Sequence, residues 1–225
     1  MSFLKTRNIN LLIDFDSTFV TVETLDILSE IISKNNNTNN LAKKINTITK
    51  QAMNGEVSFA DALSKRINML KANKEHIKIV TENISKLITP SFSKNISFFH
   101  ENYQNCYIIS GGFTEIIYPI VKEFKIPLNH IYANDFIYDD NNNIISINAN
   151  NPLSKDLGKV TIAKNIIGNN IIIGDGYTDY EVKKHNQAQY FIQFSENINR
   201  QNINNHAQLI ANDFDSIISF IKDKF

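Results

Sequence analysis

The sequence predicts an α/β fold: a doubly wound parallel sheet, with a small helical domain inserted after the first strand. Three observations predict it. Short runs rich in Ile and Leu, of which Ile9–Ile13 is the first, stop abruptly at acidic or glycine-rich turns, as strands buried on both faces do. Helical periodicity separates these runs, in the βαβ manner. Between residues 21 and 90 the strand signal gives way to almost continuous helical pattern.

Taken in order, strands are expected at 9–13, 106–109, 170–173, 190–194 and 207–211, and helices at 113–124, 159–167 and 214–221. Between residues 132 and 147 the pattern changes. Two apolar stretches flank Asn141, Asn142 and Asn143, which suits a β-hairpin with a polar turn packed beside the site formed by the strand ends. The insertion, 21–90, contains candidate helices at 24–33, 41–53 and 58–70, the last opened by Ser58 as N-cap with Asp61 three residues on. Residues 1–20 and 91–225 then make the α/β core.

At 225 residues the chain suffices for one substantial core and a small inserted unit. Its 23 basic and 23 acidic residues cancel, so no net field draws it to nucleic acid or to an anionic membrane, and neither partner is expected. One cysteine, Cys106, excludes an internal disulfide, and the opening stretch is broken by charge at Asp14 where a signal peptide would stay apolar. No run reaches the roughly 20 apolar residues of a membrane span. These features predict a cytoplasmic protein that recognises a small molecule; oligomeric state is not encoded in them.

Four motifs carry chemistry. Asp14-Phe15-Asp16-Ser17-Thr18 ends the first strand, and residues two apart in an extended chain face the same way, so Asp14 and Asp16 project together. Crowded carboxylates repel unless a cation neutralises them, and a hard, oxygen-seeking Mg²⁺ would do so. Gly174-Asp175-Gly176-Tyr177-Thr178-Asp179 follows a second apolar run. Gly174 and Gly176 permit close backbone approach on either side of Asp175, a further metal ligand, with Asp179 in support one helical turn later. Ser110-Gly111-Gly112 sits between a strand and a helix, where a hydroxyl, flexible amides and the positive end of a helix suit an anionic phosphoryl group. Lys159 opens another helix, and a cation there opposes the helix dipole unless an anion compensates; Lys155 is the rival for that role. Each motif alone also suits an ordinary turn. Their strength lies in the combination.

In this order, each after a buried strand, the four motifs resemble the haloacid dehalogenase superfamily of phosphatases. The resemblance spans the core from Asp14 to Asp179. It implies that Asp14 is the nucleophile and Asp16 the general acid and base, and that Ser110, Gly111 and Lys159 hold the phosphoryl group. It further implies that Asp14, Asp175 and the backbone carbonyl of Asp16 hold Mg²⁺, with Gly112, Gly176 and Asp179 in support. The substrate would be a small phosphomonoester.

The insertion narrows the class. Phe59, Ala62, Leu63, Arg66, Ile67 and Leu70 fall on one helical face, with Arg66 inside the apolar stripe. It either snorkels to water or waits there for a carboxylate. The stretch from Gln51 through Met53, Gly55 and Phe59 to Arg66, together with Glu23, resembles the cap of phosphoserine phosphatases. The resemblance implies that Glu23 meets the substrate ammonium and Arg66 its carboxylate, while Met53 and Phe59 shape the pocket; Asn54 stands where that family carries glycine. Phosphotransfer to an alcohol is the neighbouring alternative, and a receiver-like phospho-aspartate signalling domain the alternative of a different class.

Overall fold

The computed structural model describes residues 2–36 and 39–225. In chain order it runs α1 (Phe3–Thr6), β1 (Ile9–Ile13), α2 (Thr24–Asn36), α3 (Asn39–Met53), α4 (Phe59–Leu70), α5 (Lys74–Ile84), α6 (Pro90–Lys94) and α7 (Ile96–Asn102). Then follow β2 (Cys106–Phe113), α8 (Thr114–Val121), β3 (Ile131–Asn134), β4 (Phe136–Tyr138), β5 (Ile144–Ile147) and α9 (Gly158–Ala163). The chain closes with β6 (Asn169–Gly174), α10 (Tyr177–Lys184), β7 (Tyr190–Phe194), β8 (Leu209–Ala211) and α11 (Phe214–Lys224).

Six strands form one sheet in the order β3-β2-β1-β6-β7-β8, with every neighbouring pair parallel. The chain builds outward from β1 to β3, then crosses to β6 and builds the other way, so the order reverses between β1 and β6. At such a reversal the loops at the carboxyl ends part and leave a crevice. Alternation along the strands divides the interior in two. Leu11, Ile13, Ile171, Ile173, Ile192 and Phe194 face one apolar cluster, while Leu12, Ile172 and Phe191 face the other, as a period of two requires of strands covered on both sides.

Helices α2 to α5 all lie between β1 and β2. The two connections to this helical segment run side by side, with Thr21 N donating to Leu87 O (2.9 Å) and Thr89 N to Phe19 O (3.0 Å). Ser58 caps α4 by accepting from the Asp61 amide at 3.3 Å. Among the described residues, no helix is long and apolar enough to cross a membrane.

Three elements differ from expectation. Ile131–Asn134 joins the main sheet as its sixth strand, and the hairpin is confined to β4 and β5; a four-residue edge strand reading IYAN lacks the continuous apolar run of its neighbours. The hairpin itself packs on the end of β2, where Phe136 stacks on Phe113 with ring centroids 3.6 Å apart. Strand β2 runs on through Ser110, Gly111 and Gly112, so α8 begins at Thr114. Helix α5, capped by Asn73 on the His76 amide, adds a fourth long helix to the insertion.

Candidate active site

The site is set by register. Ile13 pairs with Ile173, and the Asp14 amide donates to the Ile173 carbonyl at 2.9 Å. Asp14 and the Gly174-Asp175-Gly176 turn therefore leave the sheet at the same height. Asp14, Asp175 and Asp179 are buried, and each offers a carboxylate oxygen within 4.8 Å of the others. Asp179 reaches this cluster because its Oδ2 accepts from the Gly176 amide at 3.1 Å, folding the first turn of α10 back on the strand end. Gly174 is required there: a Cβ at that position would lie 2.2 Å from Asp179 Cγ.

Lys159 Nζ stands 2.7 Å from Asp14 Oδ1 and 2.7 Å from Asp179 Oδ1, buried with both. Its helix is pressed close by Gly158, where a Cβ would meet the Pro152 carbonyl at 2.5 Å. Lys155 is exposed, so of the two rivals it is Lys159 that enters the site. Burial works to lower the Lys159 pKa, but the Asp14 and Asp179 carboxylates outweigh it and hold the ammonium charged. Burial, reinforced by the Asp14 charge and eased by Lys159, pushes Asp179 up to about 8. Asp175 is raised to about 7, again by burial, against the pull of Arg200.

Asp16 lies outside the carboxylate cluster. Its Oδ1 accepts from the Thr24 amide at 3.0 Å and from the Thr24 hydroxyl, so it caps α2. Burial is the main cause that lifts its pKa to about 7; the Thr24 hydrogen bond opposes this and the Asp14 charge adds to it. A carboxyl group so poised can give and take a proton near neutrality.

Ser110, Gly111 and Gly112 bulge from β2. Four residue steps of β2, from Ile109 to Phe113, span the same rise as two steps of β3, from Tyr132 to Asn134. A bulge of this kind re-aims side chains at a sheet edge. Here Ser110 Oγ accepts from the Gly112 amide at 2.9 Å, and a Cβ at Gly112 would be 3.4 Å from Asp16 Oδ2.

Above this floor one cavity is lined by Asp14, Asp16, Ser110, Gly111 and Gly112 from the ends of β1 and β2, by Lys159 from α9, and by Glu23, Met53, Phe59 and Arg66 from the helical segment. The Phe59 ring lies against Gly111, where a Cβ would approach Phe59 Cζ to 2.3 Å. Met53 Sδ comes 3.2 Å from the Cβ position of Gly176. Arg66 does not snorkel: it is 4% exposed, with Nη1 donating to Thr49 Oγ1 (3.2 Å) and Nε to the Ala62 carbonyl (3.2 Å). Glu23 accepts from the Ser17 hydroxyl at 2.7 Å, and burial with the nearby Asp16 charge raises it to about 7. Asn54 bonds Glu56 from the turn after α3, and the left-handed residue of that turn is Gly55 (φ 74°), set against the Tyr177 ring.

Several residues of the site carried no sequence signal. Arg200 joins both halves, its Nε 2.7 Å from Asp175 Oδ2 and its Nη2 3.2 Å from Glu23 Oε1. It comes from an Asn-rich stretch without periodicity. Thr178, inside the Gly-Asp-Gly motif, lines the cavity, and Thr24 orients Asp16; a threonine in a first helical turn is too common to be read as functional.

No protein-family model matches the sequence. Individual proteins do. A phosphoserine phosphatase of Drosophila melanogaster is 30% identical over 211 residues, covering 91% of this chain and 75% of the relative. The crystal structure of a phosphoserine phosphohydrolase-like protein from Francisella tularensis superposes with a TM-score of 0.85 at 30% identity, over 94% of this chain and 99% of that one. A phosphoserine phosphatase solved as an analogue of its phospho-aspartyl intermediate is 22% identical, with a TM-score of 0.77 over 95% of this chain and 98% of its own, and attests the fold alone. With such likeness along nearly its whole length, the chain belongs to the phosphoserine phosphatase family of haloacid dehalogenase-like phosphatases.

Proposed function

We propose that this phosphoric monoester hydrolase cleaves L-phosphoserine to L-serine and phosphate, carrying the phosphoryl group transiently on Asp14. One observation carries the reading: a single cavity has a carboxylate, a serine and a lysine at its floor and, facing them, one acid and one buried arginine. An amino acid phosphate needs one protein ion of each sign for its head and donors for its phosphoryl end. Glu23 takes the ammonium and Arg66 the carboxylate, with Met53 and Phe59 enclosing the carbon chain. Residues 21–90 act as a cap over a core of 1–20 and 91–225.

The donor set suits a small hard cation, because three buried carboxylates offer oxygens within 4.8 Å of each other. Asp14, Asp175 and the Asp16 carbonyl would hold Mg²⁺, with Asp179 in support. Bound there, Mg²⁺ neutralises charge on the phosphoryl oxygens.

The Asp14 carboxylate attacks phosphorus, and the bond from phosphorus to the serine oxygen breaks with its electrons going to that oxygen. Asp16 delivers the proton the leaving oxygen needs. The Ser110 hydroxyl, the Gly111 amide and Lys159 Nζ donate to the phosphoryl oxygens. Asp16, now ionised, takes a proton from water as that water attacks phosphorus and frees Asp14, so one carboxyl group serves both halves.

Phosphate release should be measured with Mg²⁺ across phosphoserine, phosphoethanolamine, which lacks the carboxylate, and glycerol phosphate, which lacks both ions. We expect kcat/KM for phosphoserine to exceed that for glycerol phosphate by about 100-fold or more, since glycerol phosphate offers neither Glu23 nor Arg66 a partner of opposite charge. Equal rates on the two would refute the substrate, and phosphoryl transfer to added serine in place of water would recast the enzyme as a transferase.

A further inference from the structure

Resting on the phosphatase reading above, we propose that Asn134 is a positioning residue that acts through Ser110, aiming the serine hydroxyl at the phosphoryl group. Asn134 is the last residue of β3 and is fully buried. Its Nδ2 donates to the Gly111 carbonyl at 3.0 Å and to the Leu153 carbonyl at 3.1 Å, while Oδ1 has no partner. The amide can sit only this way round, because turned over it would press an oxygen against two carbonyl oxygens.

The consequence passes through one peptide. The Gly111 carbonyl and the Gly112 N–H belong to the same planar unit. Asn134 holds the carbonyl end, and the N–H end donates to Ser110 Oγ at 2.9 Å. With that lone pair occupied, the serine keeps its own proton free to donate into the cavity, which Ser110 lines together with Asp14. Two successive glycines would otherwise let this peptide rotate cheaply. The second bond, to Leu153, ties the bulge to the segment packed on Gly158, next to Lys159.

The test is a double-mutant cycle with orthovanadate as probe of the phosphoryl site. Ser110→Ala, Asn134→Ala, Asn134→Leu and the double variants are compared for kcat, KM, orthovanadate inhibition and melting temperature. Asn134→Leu keeps the volume without the donors, so it reports even if the alanine variant folds poorly. We expect either Asn134 change to lower kcat/KM about 10- to 100-fold, the range for a misaimed reacting group, and to weaken orthovanadate inhibition. In the Ser110→Ala background we expect almost no further loss, because residues acting as one unit are non-additive. Additive losses, or a fall in activity with orthovanadate inhibition unchanged, would overturn the proposal. If Ser110→Ala itself leaves orthovanadate inhibition and kcat untouched, the phosphatase reading falls first and this inference with it.

Discussion

Five carboxyl groups and three cations crowd the strand ends: Asp14, Asp16, Glu23, Asp175 and Asp179 against Arg66, Lys159 and Arg200. Five less three leaves two negative charges when all are ionised, the deficit a divalent cation would fill. Burial lifts four of the acids to about 7 or 8, and the cations hold them down. Arg200 carries much of that load, since it is the ion-pair partner of both Asp175 and Glu23. Removing one partner of a buried ion network leaves uncompensated charge, at a cost of about 3–5 kcal/mol. Arg200→Met, which keeps the stem and deletes the charge, should destabilise the protein by about that amount in urea titration. A loss under about 1 kcal/mol, the value of a surface pair, would mean that the pairing is incidental.

At the scale of elements, the start of helix α4 is tied to the segment that precedes α9 by one acid. Asp156, three residues before Lys159, accepts from the Ser58 hydroxyl (2.9 Å) and from the Ala60 amide (3.1 Å) at the start of α4. That helix brings Phe59 onto Gly111 and Arg66 into the cavity. A lost cap costs about 0.5–2 kcal/mol, roughly a 2- to 30-fold change in any equilibrium it biases. Asp156→Ala should accordingly raise KM for phosphoserine within that range while kcat changes less; an unchanged KM beside a lowered melting temperature would reduce the contact to simple structure. Such ties explain what was legible in the sequence. Strands β1, β6 and β7 announce themselves because burial on both faces demands unbroken apolar runs, and Asp14, Ser110 and Asp175 stand out because each follows such a run. β3 merges into the hairpin pattern because an edge strand need not be apolar throughout. Asn134, Asp156 and Arg200 are single polar residues whose partners lie 23, 98 and 25 positions away along the chain, and nothing local betrays such contacts.

For the whole molecule, a chain with 23 basic and 23 acidic residues has no net charge to relieve, yet five of its acids are gathered at one point of the fold and are dispersed when it unfolds. Any cation that binds the gathered set but not the dispersed one stabilises the folded state by mass action, at about 2.7 kcal/mol when free ion exceeds its Kd 100-fold. In a protein of this size each kcal/mol moves the melting temperature by roughly 2–4 °C. Saturating Mg²⁺ should thus raise it by about 5–11 °C, and chelation should reverse the gain. The shift must pass through the cluster if the ion binds there: Asp175→Asn should lose most of it, whereas Asp213→Asn, which removes a half-buried acid capping α11, should keep it. Differential scanning fluorimetry with and without EDTA decides the matter. An equal Mg²⁺ response in both variants, or none in the unmodified protein, would show that the ion does not reside among Asp14, Asp175 and Asp179.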